Sequence, residues 1–254
     1  MKSLALGIDI GGSGIKAGLV DMEVGAMIGE RIKIDTPQPS TPDAVAAAIK
    51  DMLDTIDFKG DKIGCGFPAI VLDGVAYSAA NIDKNWIGVN VEKLLHSYTG
   101  HQYTVINDAD AAGVAERMFG RINQVKGTVL LLTLGTGIGS ALFYNGILIP
   151  NTEFGHLKYK GSIAEDWVSN RARKDRQLEY DDWAIELAEF LDHLILLLSP
   201  RLFVLGGGIS FKFDAYSHHF SQLRVPVVNA SAFNDAGIIG AAVSAYPELM
   251  EPFS

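Results

Sequence analysis

The chain has 254 residues, 48% of them hydrophobic, and a formal net charge of -9, which allows two modest domains with real cores. The acid excess argues against a general nucleic-acid face, although local phosphate binding through backbone amides stays open. No apolar run reaches the ~18–20 residues of a membrane helix, and the single cysteine, Cys65, excludes an internal disulfide or a cysteine-based zinc cluster.

The N-terminus, MKSLALGIDIGG, reads directly as a strand and a turn with no signal-peptide h-region, so the cytoplasm is the expected compartment. Leu4, Leu6, Ile8 and Ile10 alternate with period two, and strands over 15–20 and 26–34 follow after glycine-containing turns. Residues 36–42 are a Pro/Ser/Thr loop, and Thr41-Pro42-Asp43 opens a helix over 44–57. A strand over 63–67, a hairpin around Asp73-Gly74, a helix over 91–98, a strand over 103–106 and a helix over 109–119 come next.

A second set begins at Gly127. Residues 129–134 are a continuous apolar run suited to a buried strand, and strands over 137–144 and 147–149 meet at the Asn145-Gly146 turn. Helices near 164–175 and 180–198 follow. Within the second, the apolar stretch Phe190 to Leu198 is interrupted by Asp192 and His193, which marks a packed helix. Then come a strand over 202–205, a glycine run at 206–208 and a last helix from about Asp235 to Tyr246. The same order of elements thus occurs twice, with a glycine turn after the first strand each time. This predicts two α/β lobes with a cleft between them: a small lobe over 1–106, on which a C-terminal helix over 243–254 can pack back, and a large lobe over 107–242.

In Asp9-Ile10-Gly11-Gly12-Ser13-Gly14-Ile15-Lys16, glycines between two strands let backbone N–H groups approach an anion. Lys16 can neutralise charge, and Asp9 can hold magnesium through water. The plain alternative is a glycine-rich hairpin with a solvated Asp. Leu134-Gly135-Thr136-Gly137-Ile138-Gly139 also links strand to strand, so it is neither a dinucleotide fingerprint nor a Walker loop. Asp108, in Asn107-Asp108-Ala109-Asp110-Ala111, opens a helix. It is either an N-cap or a general base placed where the two lobes join.

Glu153 and His156, in Asn151-Thr152-Glu153-Phe154-Gly155-His156, and Glu165 beyond them offer the mixed donors and acceptors that sugar hydroxyls need. A zinc site at His156 lacks partners, because His193, His218 and His219 have no metal spacing. Gly207 and Gly208 permit close approach of a nucleotide or phosphate, or simply turn the chain. The basic stretch Arg171, Arg173, Lys174 and Arg176 is a solvated helix face or an anion track.

Taken together, these segments resemble the ROK family of sugar kinases. Gly66-Phe67-Pro68-Ala69, Asn81 and Trp86-Ile87-Gly88-Val89 resemble its sugar-domain segment, and Glu153-Phe154-Gly155-His156 resembles its Glu-x-Gly-His motif. The resemblance covers nearly the whole chain and implies the actin-like ATPase (ribonuclease H-like) fold. It implies Asp108 as the base, and a sugar held by Asn81, Asn107, Asp108, Glu153, His156 and Glu165. It also implies a donor phosphate at Asp9, Gly11, Gly12, Ser13, Lys16, Gly135, Thr136, Gly137, Gly207 and Gly208, with Mg2+ as cofactor and a homodimer.

The family's cysteine-rich zinc loop is missing, and Ala164-Glu165-Asp166-Trp167 stands where it would end. This resembles the zinc-free branch of polyphosphate glucokinases and implies no zinc, glucose or a related hexose as acceptor, and polyphosphate or ATP as donor. Two positions depart from that branch. Phe211 and Phe233 stand where it tends to carry cations, which weakens a polyanion track. A kinase for mannose, fructose or an amino sugar, or a non-catalytic sugar sensor, are the other readings.

Overall fold

β1 (Leu4–Ile10) turns Leu6, Ile8 and Ile10 to one face and Ala5, Gly7 and Asp9 to the other, as strand geometry requires. β2 (Gly14–Asp21) and β3 (Ala26–Asp35) continue from it as an antiparallel meander. Beyond them lie α1 (Pro42–Leu53), β4 (Lys62–Phe67) and a hairpin of β5 (Val71–Leu72) and β6 (Val75–Ala76). The hairpin turns at Asp73 and Gly74, both at positive φ. α2 (Val91–Thr99), β7 (Gln102–Asn107) and α3 (Asp108–Phe119) complete this stretch. β4 and β7 run parallel to β1, and the strand order is β3-β2-β1-β4-β7. The computed structural model describes residues 4–232 and 235–250.

The two faces of this sheet are covered differently. On the large-residue face, Leu6, Ile8, Ile10, Ile63, Cys65 and Phe67 bury against Val45 and Ile49 of α1 and Val91 and Leu95 of α2. Burial pushes the Cys65 thiol well above its usual range, so it behaves as a small hydrophobe. The other face is made of small residues. A Cβ added at Gly7 would lie 1.9 Å from the carbonyl oxygen of Ile238, and one at Gly64 1.6 Å from that of Ala241. Both carbonyls belong to α7 (Ala236–Ser244), which therefore rests directly on the sheet. A Cβ added at Gly240 of α7 would likewise lie 1.6 Å from the carbonyl oxygen of Ala111 in α3.

The first compact unit accordingly comprises Met1–Phe119 and Asp235–Met250. The chain divides after α3, not after Ile106, and α7 joins the first unit, because both helices fill the glycine-lined face. Among the described residues, no helix runs through 243–250. α7 ends at Ser244, a 3-10 turn occupies Pro247–Leu249, and residues 251–254 lie outside the described residues.

The second unit lies in Gly120–Asn234. β8 (Thr128–Leu134), β9 (Ile138–Tyr144) and β10 (Ile147–Ile149) form an antiparallel meander turning at Asn145 and Gly146. After β11 (Lys158–Tyr159) and β12 (Ser162–Ile163) come α4 (Glu165–Val168), α5 (Asn170–Asp175) and α6 (Tyr180–Leu198). The helix expected over 164–175 is broken at Ser169, whose extended backbone ends α4 and whose hydroxyl caps α5 through the Ala172 N–H. β13 (Leu202–Gly206) and β14 (Val227–Asn229) add parallel strands, giving the order β10-β9-β8-β13-β14. α6 buries Trp183, Leu187, Phe190 and Leu194 in the same core as Leu130, Leu132 and Leu134 of β8. Between β13 and β14 run two 3-10 segments, Gly208–Ala215 and Ser217–Gln222, anchored by the buried Tyr216 and Phe220. Among the described residues, no helix is long and apolar enough to cross a membrane.

Candidate active site

In the first unit the turn after β1 is shaped by its neighbours. Gly11 donates its N–H to the Gly14 carbonyl at 3.0 Å. The Thr36 hydroxyl donates to the Gly11 carbonyl at 2.6 Å, and the Thr36 N–H to that of Ser13 at 3.3 Å. These bonds fix the turn's carbonyls toward the β3–α1 loop. A Cβ at Gly12 would lie 2.4 Å from the carbonyl oxygen of Asn81, so the turn and the Asn81 segment are packed together. That segment is held in turn by Ser40, which bonds the Asp83 N–H through its hydroxyl and the Trp86 indole through its carbonyl.

Asp9 and Lys16 face each other across β1 and β2, and Lys16 Nζ lies 3.0 Å from Asp9 Oδ2. Gly237, in the first turn of α7, lies against the same carboxylate: a Cβ there would sit 2.9 Å from Asp9 Cγ. Sequence reasoning assigns Gly237 no site role; it stands only within Asn234-Asp235-Ala236-Gly237-Ile238-Ile239-Gly240-Ala241-Ala242, a segment that resembles the same zinc-free branch.

The start of α3 separates two roles that the sequence left joined. Asn107 supplies the main cap: its Oδ1 accepts from the Ala109 N–H at 2.8 Å and the Asp110 N–H at 3.1 Å, and its Nδ2 donates to the Ala69 carbonyl at 3.1 Å. Asp108 Oδ1 also accepts from the Ala109 N–H, at 2.8 Å. With the cap supplied mainly by the residue before it, Asp108 is half-buried at the head of the helix, its Cα close to the glycine face at Gly66.

In the second unit, Gly135 donates to the Gly137 carbonyl at 3.0 Å, a bond that spans one residue fewer than that of the first turn, and Thr136 stands exposed at the tip. Here side chains and backbone from α4 and α5 grip the turn. The Ile138 N–H donates to Glu165 Oε2 at 3.3 Å, and the Arg171 N–H to the Gly135 carbonyl at 3.1 Å. Arg171 Nη2 lies 3.8 Å from Glu165 Oε1. A Cβ at Gly137 would meet Glu165 Oε2 at 2.5 Å, so only glycine lets the carboxylate approach.

Glu153 and His156 belong to the same assembly. The Ser140 hydroxyl of β9 donates to the Thr152 carbonyl and accepts from the Phe154 N–H, which holds the Glu153 loop on the sheet. Glu153 Oε2 lies 3.6 Å from His156 Nδ1. Burial raises the Glu153 carboxyl above its ordinary value; His156 opposes that rise and Glu165 adds to it. Gly207, at φ 80°, packs on the backbone of Leu134 just before the turn, while Gly208 is exposed.

Each unit thus brings one group together. The first gathers Asp9, Gly11, Gly12, Ser13, Lys16 and Asn81 around one turn, with Asn107 and Asp108 at the head of α3. The second gathers Gly135 to Gly137, Glu153, His156, Glu165 and Gly207. The basic stretch is largely spoken for. Arg176 makes a two-armed ion pair with Glu186 at 2.6 and 2.7 Å, and Arg173 lies 4.3 Å from the Tyr180 ring centroid and donates to the Leu178 carbonyl. Phe211 is exposed, and Phe233 lies outside the described residues.

The chain is 46% identical over 239 residues to the polyphosphate glucokinase of Mycobacterium tuberculosis (strain CDC 1551 / Oshkosh), covering 94% of this chain and 89% of that protein. It superposes on the inorganic polyphosphate/ATP-glucomannokinase of Arthrobacter sp. strain KM with a TM-score of 0.90 and 45% identity, over 96% of this chain and 99% of that one. A ROK family glucokinase from Streptomyces griseus, solved with glucose and AMPPNP, superposes with a TM-score of 0.77 and 25% identity, over 95% and 98% of the two chains. The repeated meander-plus-parallel sheet is the actin-like ATPase fold, as expected from the sequence. The ROK family pattern matches residues 5–166, and the chain belongs to the ROK family.

Proposed function

We propose that this protein transfers the terminal phosphoryl group of polyphosphate or ATP to the 6-hydroxyl of glucose. The observation that carries this reading is the position of Glu165. One carboxylate both accepts an N–H from the second glycine turn and stands in the electrostatic field of Glu153, within the Glu153/His156 cluster. A hydroxyl-binding cluster built onto a phosphate turn suits a sugar kinase and has no purpose in a structural ATPase. Identity of 46% to a polyphosphate glucokinase over most of the chain supports the same donor and acceptor.

In this mechanism Glu153, His156, Glu165 and Asn81 hold sugar hydroxyls. Asn107 uses its amide chiefly to cap α3, which orients Asp108, and its second Nδ2 hydrogen is left for the sugar. Asp108 accepts the proton of the 6-hydroxyl as that oxygen bonds to phosphorus. The bond from phosphorus to the bridging oxygen breaks, releasing ADP or a polyphosphate shorter by one unit. The N–H groups of Gly12 and Ser13 in the first turn and of Thr136 and Gly137 in the second, with Gly207 and Gly208, serve the donor, and Lys16 offsets its charge.

A magnesium ion fits Asp9. Mg2+ usually takes one or two carboxylates with waters and phosphate oxygens, and Asp9 offers such a carboxylate beside Lys16. When bound, it would neutralise charge on the transferred phosphoryl group. The proposal also keeps the cytoplasm as compartment, in line with one buried, unpaired Cys65, and a homodimer as assembly.

A coupled glucose-6-phosphate assay with polyphosphate and ATP side by side tests the reading, with mannose as second acceptor because the Arthrobacter relative is a glucomannokinase. Product with glucose from at least one donor is expected. No product from either donor overturns the kinase reading.

A further inference from the structure

We propose that Asp181, His218 and His219 form a surface site for a divalent transition-metal ion of the Zn2+ class, apart from the residues given roles above. Asp181 lies in the first turn of α6, and the two histidines are adjacent in the 3-10 segment Ser217–Gln222. His219 Nε2 is 2.9 Å from Asp181 Oδ1, and His218 Nε2 is 3.4 Å from the same oxygen. One ligand atom from each residue lies within 4.8 Å of the others.

Zinc holds nitrogen and carboxylate oxygen at about 2.0–2.1 Å, so tetrahedral ligand atoms stand roughly 3.3 Å apart. The two distances to Asp181 Oδ1 bracket that value, and the two imidazole ligand atoms lie within 4.8 Å of each other. An ion can therefore enter with side-chain adjustment alone.

The backbones carrying the ligands are fixed relative to each other. Tyr216, fully buried, stacks on Tyr180 at 6.0 Å and meets Trp183 edge-on at 5.1 Å. Phe220 is buried beside it, with 6.0 Å between their ring centroids. The ligands thus flank an aromatic cluster on both strands of chain: Tyr180 precedes Asp181, and Tyr216 and Phe220 bracket the histidines. The two imidazoles lie 4.1 Å apart, centroid to centroid.

The donor set selects the ion. Two imidazoles and a carboxylate suit Zn2+, Ni2+ or Cu2+, whereas Mg2+ prefers an all-oxygen octahedron. Three protein ligands leave a fourth position for water. The adjacent histidines have no metal spacing by themselves, and Asp181 supplies the missing ligand from a distant part of the sequence. His193 takes no part; it lies by Tyr159, 6.3 Å between ring centroids. A bound ion would fasten the segment that follows Gly207 and Gly208 to α6.

The test uses the full chain without a polyhistidine tag. Zn2+ titration by calorimetry, and Co2+ titration read by visible absorption, are expected to show one site in the wild type. His218→Ala and His219→Ala should each weaken that site by about tenfold or more. His193→Ala should leave it unchanged, and Zn2+ should raise the Tm of the wild type but not of the double histidine variant. Unchanged glucose phosphorylation without added zinc reports that the variants fold. Wild-type affinity in the double histidine variant, or no binding by the wild type at millimolar zinc, overturns the proposal.

Discussion

The two units share one strand order, yet their glycine turns are held in different ways. The first turn is tied through its carbonyls, by Thr36, and has a charge pair, Asp9 and Lys16, beside it. The second is tied at an N–H by a carboxylate, Glu165, and at a carbonyl by the Arg171 backbone. Repetition supplied two glycine turns, and the chemistry was differentiated by what packs against each. The sheets differ in the same spirit. The first has a glycine-lined face that accepts α7 at backbone contact, while β8 of the second buries Leu130, Leu132 and Leu134 with α6.

The largest expected effect tests the first unit's role. Asp108→Asn should cut turnover by ~10²–10⁴-fold while glucose binding by calorimetry stays near wild type. Retention of more than about a tenth of the wild-type rate would assign the proton to another group. Gly64→Ala tests the glycine face. Its Cβ would sit 1.6 Å from the Ala241 carbonyl, which belongs to backbone and cannot swing aside. A loss of about 3 kcal/mol, or roughly 6–12 °C in Tm, is expected. A Tm within a degree of wild type would mean that α7 is not seated there.

Glu165→Ala tests the second turn. Because the carboxylate that holds the turn is also the proposed sugar ligand, KM should rise for donor and for glucose together, by about tenfold. A change in the glucose KM alone would break the link. The smallest effect is a pH signature at Glu153. Its folded pKa is raised chiefly by burial, so the contribution to stability is full below the unfolded pKa and lost as pH rises through the folded one. Glu153→Gln should therefore gain Tm over wild type at pH 7 and lose that advantage at pH 4. An equal offset at both values would remove burial as the cause.

Much of this was legible in the sequence. Period-two alternation located β1, the Asn145-Gly146 pair located the β9–β10 turn, and the glycine-rich motifs located both turns, while Asn81 came from the family resemblance alone. What stayed hidden depends on partners distant in sequence. Asp108 reads as a cap until Asn107 is seen making the bonds. The 164–175 helix breaks because Ser169 caps a new helix, a choice that its neighbours' helix propensity conceals. Residues 208–222 have no sustained 3.6 period, since two 3-10 segments bury Ile209 and Ser210 at one end and Tyr216 and Phe220 at the other, with none of the residues between them buried. The allegiance of α3 and α7 turns on glycines in strands, whose meaning appears only when a helix lies on them.

That last feature also has a bearing on synthesis. α7 is the final helix of the first unit, yet it is translated after the whole of Gly120–Asn234. On the ribosome, Gly120–Asn234 emerges as one continuous stretch, whereas the glycine face of the first unit has no α7 to cover it until residues 236–244 emerge, so the usual N-terminal-first completion of domains does not hold for this face.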